Sequence, residues 1–218
     1  MKTNTHTSIK NFCEICGNEL ANGYTICSSR CKLIREVRKN PERIANTIIP
    51  PKYAKAKLED FPELIEKVKK IMAGEWEGFF ICGDVGRGKT HLAGAITKEY
   101  IPMAIDSKGV CSVIWRLAPA LLGEIKSGWA DGKNNLEDYC NCMLLVLDDF
   151  GAEQSTDWSL TTLYTIIATR IDHCRKTIIT SNFLLKKIAE VEPRIASRIS
   201  SPDFFKIRLD GDDRRAKR

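Results

Sequence analysis

Residues 83–90 read Gly-Asp-Val-Gly-Arg-Gly-Lys-Thr, which matches G-x-x-x-x-G-K-[ST]. Glycines in such a turn let backbone N–H groups converge on a phosphate, and the dipole of a following helix adds to the attraction. In this pattern the lysine reaches the β- and γ-phosphates and the hydroxyl residue ligates Mg²⁺. Gly83, Gly86, Gly88, Lys89 and Thr90 are therefore candidate nucleotide-binding residues, with ATP and Mg²⁺ as the candidate ligands. Downstream, MLLVL (143–147) runs into Asp148-Asp149, and TIITS (177–181) runs into Asn182. Asp148 is suited to hold the metal, directly or through water. Asp149 is placed to orient or deprotonate an attacking water, but it is one methylene shorter than a glutamate, so slow turnover is expected. The amide of Asn182 can hydrogen-bond the γ-phosphate or that water. In EPRIASRIS (192–200), Arg194 and Arg198 are four apart and share a face if the segment is helical. Either arginine can reach a neighbouring subunit's nucleotide and stabilise transition-state charge. The alternative is two solvated arginines, or a local pair with Glu190 or Glu192.

A second constellation precedes the first. Cys13-x₂-Cys16, ten residues, then Cys27-x₃-Cys31 supply two close thiolate pairs suited to tetrahedral Zn²⁺. The alternative is four reduced structural cysteines. A module this small buries too little to hold itself together, so a metal staple is the expected source of its stability. Arg30, Lys32, Arg35, Arg38, Lys39 and Arg43 crowd the segment that follows, against Glu36 and Glu42. That run is either a binding surface or a solvated helix. The other five cysteines, Cys82, Cys111, Cys140, Cys142 and Cys174, read as small buried apolar residues.

These side chains need elements to position them. The chain has 218 residues, 43% hydrophobic and 28% charged, which fits one folded core with a small appendage. A formal net charge of +6 permits a nucleic-acid partner without requiring one. No apolar run approaches the length needed to span a bilayer, and the first dozen residues lack a signal peptide's apolar core. Nine cysteines without a leader point to the reducing cytoplasm. Residues 1–45 are expected to form a zinc-binding module and basic helix, and residues 46–218 the main domain.

Within that domain, LIEKVKKIM (64–72) has helical spacing. Strands are predicted at GFFIC (78–82), CSVIW (111–115), MLLVL, TIITS and FFKIRL (204–209), and helices over 89–101, 117–127 and 157–173. Short apolar strands alternating with helices predict an α/β fold, a parallel sheet covered on both faces. Loops at one edge of such a sheet then carry the ligand site.

Taken together, IPPKYAKAKLEDF (49–61), GDVGRGKTHLA (83–93), LLVLDDFGAEQSTDW (144–158), TIITSNF (177–183) and RIASRI (194–199) resemble the DnaC/DnaI-type replicative helicase loaders of bacteria and phages. These are AAA+ ATPases whose close relatives are the IstB-like ATPases of transposons. The resemblance implies an ATP-binding core that assembles head to tail, with Asn182 as the sensor asparagine. It places the trans arginine at Arg198, with Arg194 second. It implies that a segment near 116–130 meets single-stranded DNA, where Arg116, Lys126, Trp115 and Trp129 are suitable in type; Trp115 is equally well explained as core strand. The replicative helicase is the implied partner, docked on the zinc module, although DNA remains an alternative occupant of that module. Only DGDDRRAKR follows the last strand, so no C-terminal lid is expected, and Arg214 has no settled role. Two other functions remain open: a transposition ATPase on duplex DNA, and an adaptor that binds ATP without meaningful hydrolysis.

Overall fold

A computed structural model describes residues 11–13, 18–20, 31, 35, 39–74, 76–104, 111–153, 156–211 and 213–214. Two short strands, β1 (Asn11–Phe12) and β2 (Glu19–Leu20), pair antiparallel. Helices α1 (Pro41–Ile48) and α2 (Ile65–Ala73) follow. Strand β3 (Gly78–Cys82) leads through the glycine loop into α3 (Lys89–Tyr100). Next come β4 (Val113–Leu117), α4 (Ala118–Ala130), the short α5 (Leu136–Asn141) and β5 (Leu144–Phe150). The chain continues through α6 (Asp157–Asp172), β6 (Lys176–Ser181), α7 (Leu185–Val191), α8 (Pro193–Ile199) and β7 (Phe204–Arg208).

Five strands form one parallel sheet in the order β4-β5-β6-β3-β7. Every residue of β3 is buried, as expected for a strand covered on both faces. Alternate residues feed two separate cores. Phe79, Ile81, Val146 and Ile178 pack with Val68, Leu92 and Ile96 from α2 and α3. Phe80, Leu145, Leu147 and Ile179 pack with residues of α4, α6, α7 and α8, among them Leu121, Ile166 and Ile195. Segment 49–61 crosses over α3 and buries Ala56, Leu58 and Phe61. Helix α6 starts where the Thr156 hydroxyl accepts a 3.1 Å hydrogen bond from the Ser159 amide, the capping arrangement that fixes a helix N-terminus.

Among the described residues no helix is long and apolar enough to cross a membrane. The predicted elements fall close to their observed places, with two shifts. The second strand is displaced two residues toward the C-terminus, and the third runs on through both aspartates to Phe150. Sequence patterning also missed α5. It is anchored by Arg170, whose fully buried guanidinium donates to the carbonyls of Tyr139 (2.7 Å), Cys142 (3.0 Å) and Lys176 (2.6 Å) and to the Thr177 hydroxyl (3.0 Å). A buried cation is tolerable there because its donors are satisfied. Cys82, Cys140 and Cys142 are buried as expected, whereas Cys174 is exposed in a left-handed turn (φ 52°), a correction to the buried reading.

Candidate nucleotide site

Three of the loop glycines have positive φ: Gly83 at 143°, Gly86 at 83° and Gly88 at 92°. A Cβ on Gly83 would lie 2.3 Å from the Leu209 carbonyl oxygen, so a side chain there would push β7's exit away from the loop. Lys89 is buried and its ammonium donates to the carbonyl oxygens of Gly83 and Asp84, each at 2.7 Å. The loop's own start thus holds the lysine where a phosphate would meet it.

Strand β6 lies between β3 and β5, so Asp148 and the phosphate loop are not on adjacent strands. Thr180 on β6 spans the gap. Its hydroxyl donates to Asp148 Oδ1 at 2.6 Å and accepts from the Asp149 amide at 2.9 Å. The Thr90 hydroxyl donates to the same Asp148 oxygen at 3.0 Å. Burial pushes the Asp148 carboxyl above its usual range, partly offset by hydrogen bonds from Thr180 and Thr90. A hydroxyl and a buried carboxylate at this spacing are oxygen donors of the hard type Mg²⁺ takes, so the residues present fit that ion.

Asp149 adopts a left-handed conformation (φ 58°), uncommon for a residue with a side chain, where β5 loses register with β6 between Leu147 and Phe150. That turn aims its carboxylate at Asn182, whose amide donates to Asp149 Oδ1 at 2.9 Å. Asp148, Asp149, Thr180 and Asn182 line a cleft of about 1080 Å³ together with Gly86, Gly88, Lys89 and Thr90.

The cleft is also lined by Asp60, His91 and Arg214, to which sequence reasoning assigned no role. His91 Nε2 donates to Asp60 Oδ2 at 2.6 Å. Burial works to raise the Asp60 carboxyl, but hydrogen bonds from His91 and the Lys57 amide, with the nearby charge of Arg214, hold it below its ordinary value. The Arg214 guanidinium stacks 4.1 Å from the Phe61 ring and donates to the Asp60 carbonyl at 2.9 Å, while its amide bonds Gly86 O at 3.0 Å. Arg214 therefore reaches back onto the phosphate loop. Thr180 and His91 did carry a signal: one is a polar residue in an apolar strand, the other directly follows the loop.

Arg194 and Arg198 do share α8, but neither lines this cleft. Arg194 holds the Glu192 carboxylate through two 2.8 Å bonds and stacks 4.7 Å over the Tyr164 ring, the local pair foreseen for it. Arg198 donates to Asp172 Oδ1 at 2.6 Å, a partner on α6 that sequence spacing could not show.

In the segment proposed for DNA, Trp115 is core, 6% exposed. Arg116 is paired through Nε to both oxygens of Glu124 at 2.9 and 3.0 Å, and Glu124 also accepts from the Tyr139 hydroxyl. Burial therefore removes Trp115 as a stacking surface, whereas Arg116 is 43% exposed and paired with Glu124 at the surface. Lys126 and Trp129 are exposed, and Trp129 meets Trp158 edge to face with ring centroids 5.8 Å apart.

Of the cysteine set, Cys13 and Cys31 are buried, and the Cys13 amide closes the β1–β2 hairpin on Asn18 O at 2.8 Å. Cys16 and Cys27 lie outside the described residues. Among the described residues no three potential metal ligands stand together.

Residues 63–202 match the family model described as the bacterial DnaA ATPase domain. The chain belongs to that family. It is 26% identical over 184 residues to the chromosomal replication initiator protein DnaA of Acinetobacter baumannii, covering 76% of this chain and 39% of the relative. It is 28% identical over 159 residues to the replicative helicase loader DnaI of Bacillus subtilis, covering 65% of this chain and 49% of the relative. The chain thus spans less than half the length of these curated relatives. Among solved structures, one described as DnaI superposes with a TM-score of 0.63 at 23% identity, over 81% of this chain and all of that one. A DnaA bound to AMPPCP and single-stranded DNA superposes with a TM-score of 0.62 at 24% identity, over 75% of this chain and 51% of that one. These likenesses show a shared fold, and with the family match and the DnaI relative they bear out the resemblance to DnaC/DnaI-type AAA+ proteins.

Proposed function

We propose that this protein is an ATP-dependent loader that binds a hexameric replicative helicase and delivers it to single-stranded DNA. The observation that carries the reading is the connected set Thr90–Asp148–Thr180–Asp149–Asn182, a complete wiring for nucleotide in a chain related to a helicase loader. Lys89 and the loop amides bind the phosphates. Thr90 and Asp148 hold Mg²⁺, which when bound neutralises charge on the β- and γ-phosphates. Asp149 takes the proton of the attacking water, and Asn182 fixes the carboxylate that does so. Arg198, which does not line its own cleft, completes the site of the next subunit in a nucleotide-dependent homo-oligomer.

The N-terminal cysteines bind Zn²⁺ and form the helicase-docking handle. The reading rests on the spacing of the four cysteines, of which Cys13 and Cys31 are buried. Lys126 and Trp129 form the reduced single-strand contact, in line with the DNA-bound DnaA of the same fold.

The deciding experiment mixes the purified protein, ATP and zinc with its cognate hexameric helicase and measures mass by light scattering. A stable complex that Cys27→Ser abolishes, with zinc lost and ATP binding kept, supports the loader and its zinc handle. No complex, but ATP-dependent filaments on duplex DNA, would move the assignment to a transposition ATPase.

A further inference from the structure

The loop that carries Asp149 contains a second acid with no part in the site so far. Glu153 is half-buried, four residues after Asp149, and its Oε2 accepts the Gly151 amide at 2.9 Å. Burial pushes its carboxyl upward. Asp149 and Gly151 both have left-handed backbones, at φ 58° and 94°, so this turn holds only if its neighbours over-determine it. Three contacts do so from outside the turn. Thr180 accepts the Asp149 amide, Ser181 donates to the Phe150 carbonyl at 2.7 Å, and the Phe183 ring lies within 2.6 Å of where a Gly151 Cβ would stand. From within, the Ala152 amide donates to the Asp149 carbonyl at 3.2 Å, and Glu153 adds a side-chain constraint on the amide two residues beyond Asp149.

We infer that Glu153 is a positioning residue for hydrolysis: by capping the Gly151 amide it fixes the turn that aims Asp149 at the water site, without touching nucleotide itself. The inference rests on the proposed hydrolytic role of Asp149. It accounts for an acid kept in a partly desolvated place, where it is costly unless it holds something. What it requires of position 153 is an acceptor oxygen rather than a charge, and that distinction makes it testable.

Glu153→Ala removes the acceptor, while Glu153→Gln keeps an acceptor oxygen and removes the charge. On the full chain three quantities are measured: kcat for ATP, affinity for a non-hydrolysable ATP analogue, and amide hydrogen exchange across 148–153. The alanine variant should lose roughly tenfold in kcat, the typical worth of one hydrogen bond, with analogue affinity within about twofold and faster exchange in the turn. The glutamine variant should stay within about twofold of wild type in all three. Equal loss in both variants would overturn the inference in favour of a role for the charge. Unchanged kcat and exchange in the alanine variant would overturn it outright. A wild-type protein that binds ATP without turning it over would sink the hydrolytic reading instead. In that case the exchange contrast alone decides whether Glu153 holds the turn.

Discussion

The two halves of the proposed machinery are built differently. At the sheet edge, Thr90, Asp148, Thr180, Asp149 and Asn182 are linked by hydrogen bonds of 2.6 to 3.0 Å, and Asp148 and Thr180 are buried. On α8, Arg194 is held by the buried Glu192 carboxylate, whereas Arg198 is held by Asp172 through an exposed ion pair. Buried, fully satisfied networks are rigid and their loss is costly. Exposed ion pairs contribute little and exchange readily for other partners. The cleft is therefore pre-organised within one chain, while Arg198 is kept provisional, which suits its proposed action on another molecule.

The largest expected effect separates the halves outright. Lys89→Ala removes the cation facing the phosphates and should abolish ATP binding, a loss of about 100-fold or more in affinity by fluorescent-nucleotide titration. Arg198→Ala should leave that affinity within about twofold and lower hydrolysis by assemblies about 100-fold or more, in keeping with an arginine acting in trans. Mixing the two variants sharpens the contrast, because each can supply the half-site the other lacks. Partial recovery of turnover in the mixture supports a shared site; none at any ratio would break the comparison.

Thr180→Val tests the rigid half more finely, keeping shape while removing the hydroxyl that joins Asp148 to the Asp149 amide. Turnover should fall about tenfold, with a stability loss of about 1–3 kcal/mol in denaturant unfolding, since a buried amide and a buried carboxylate each lose a partner. A turnover change as small as that of a surface substitution would show that the two aspartates do not need β6 to be set.

The same contrast explains what could be read from the sequence. The loop motif, the two aspartates and Asn182 were legible because each sits where a short apolar strand stops, and a parallel sheet places all such stops on one edge. Thr180 stood out only as a polar residue in an apolar strand; its bridging role was not legible, because the strand order puts β6 between β3 and β5 and no local pattern encodes that order. Asp60, His91 and Arg214 converge from positions up to 154 apart, which only the folded chain brings together. Trp115 was misjudged for a related reason: residue type suited it to nucleic acid, but the fold buries it, while Glu124 on the next helix gives Arg116 a surface partner that spacing did not show.

The smallest effect bears on the provisional half. Asp172 pairs with Arg198 at 2.6 Å and, together with a hydrogen bond to Tyr164, holds that side chain on its own subunit. Asp172→Asn keeps the shape and a neutral acceptor but removes the attraction. If the arginine must leave this partner to reach a neighbouring nucleotide, the variant should turn over ATP about two- to fivefold faster at protein concentrations where assembly is incomplete, a range set by the small worth of a surface ion pair. Raising salt should shrink the difference, because exposed pairs are screened. A variant slower than wild type would mean that Asp172 orients Arg198 for its task rather than restraining it, and the arginine face would then be as pre-organised as the cleft.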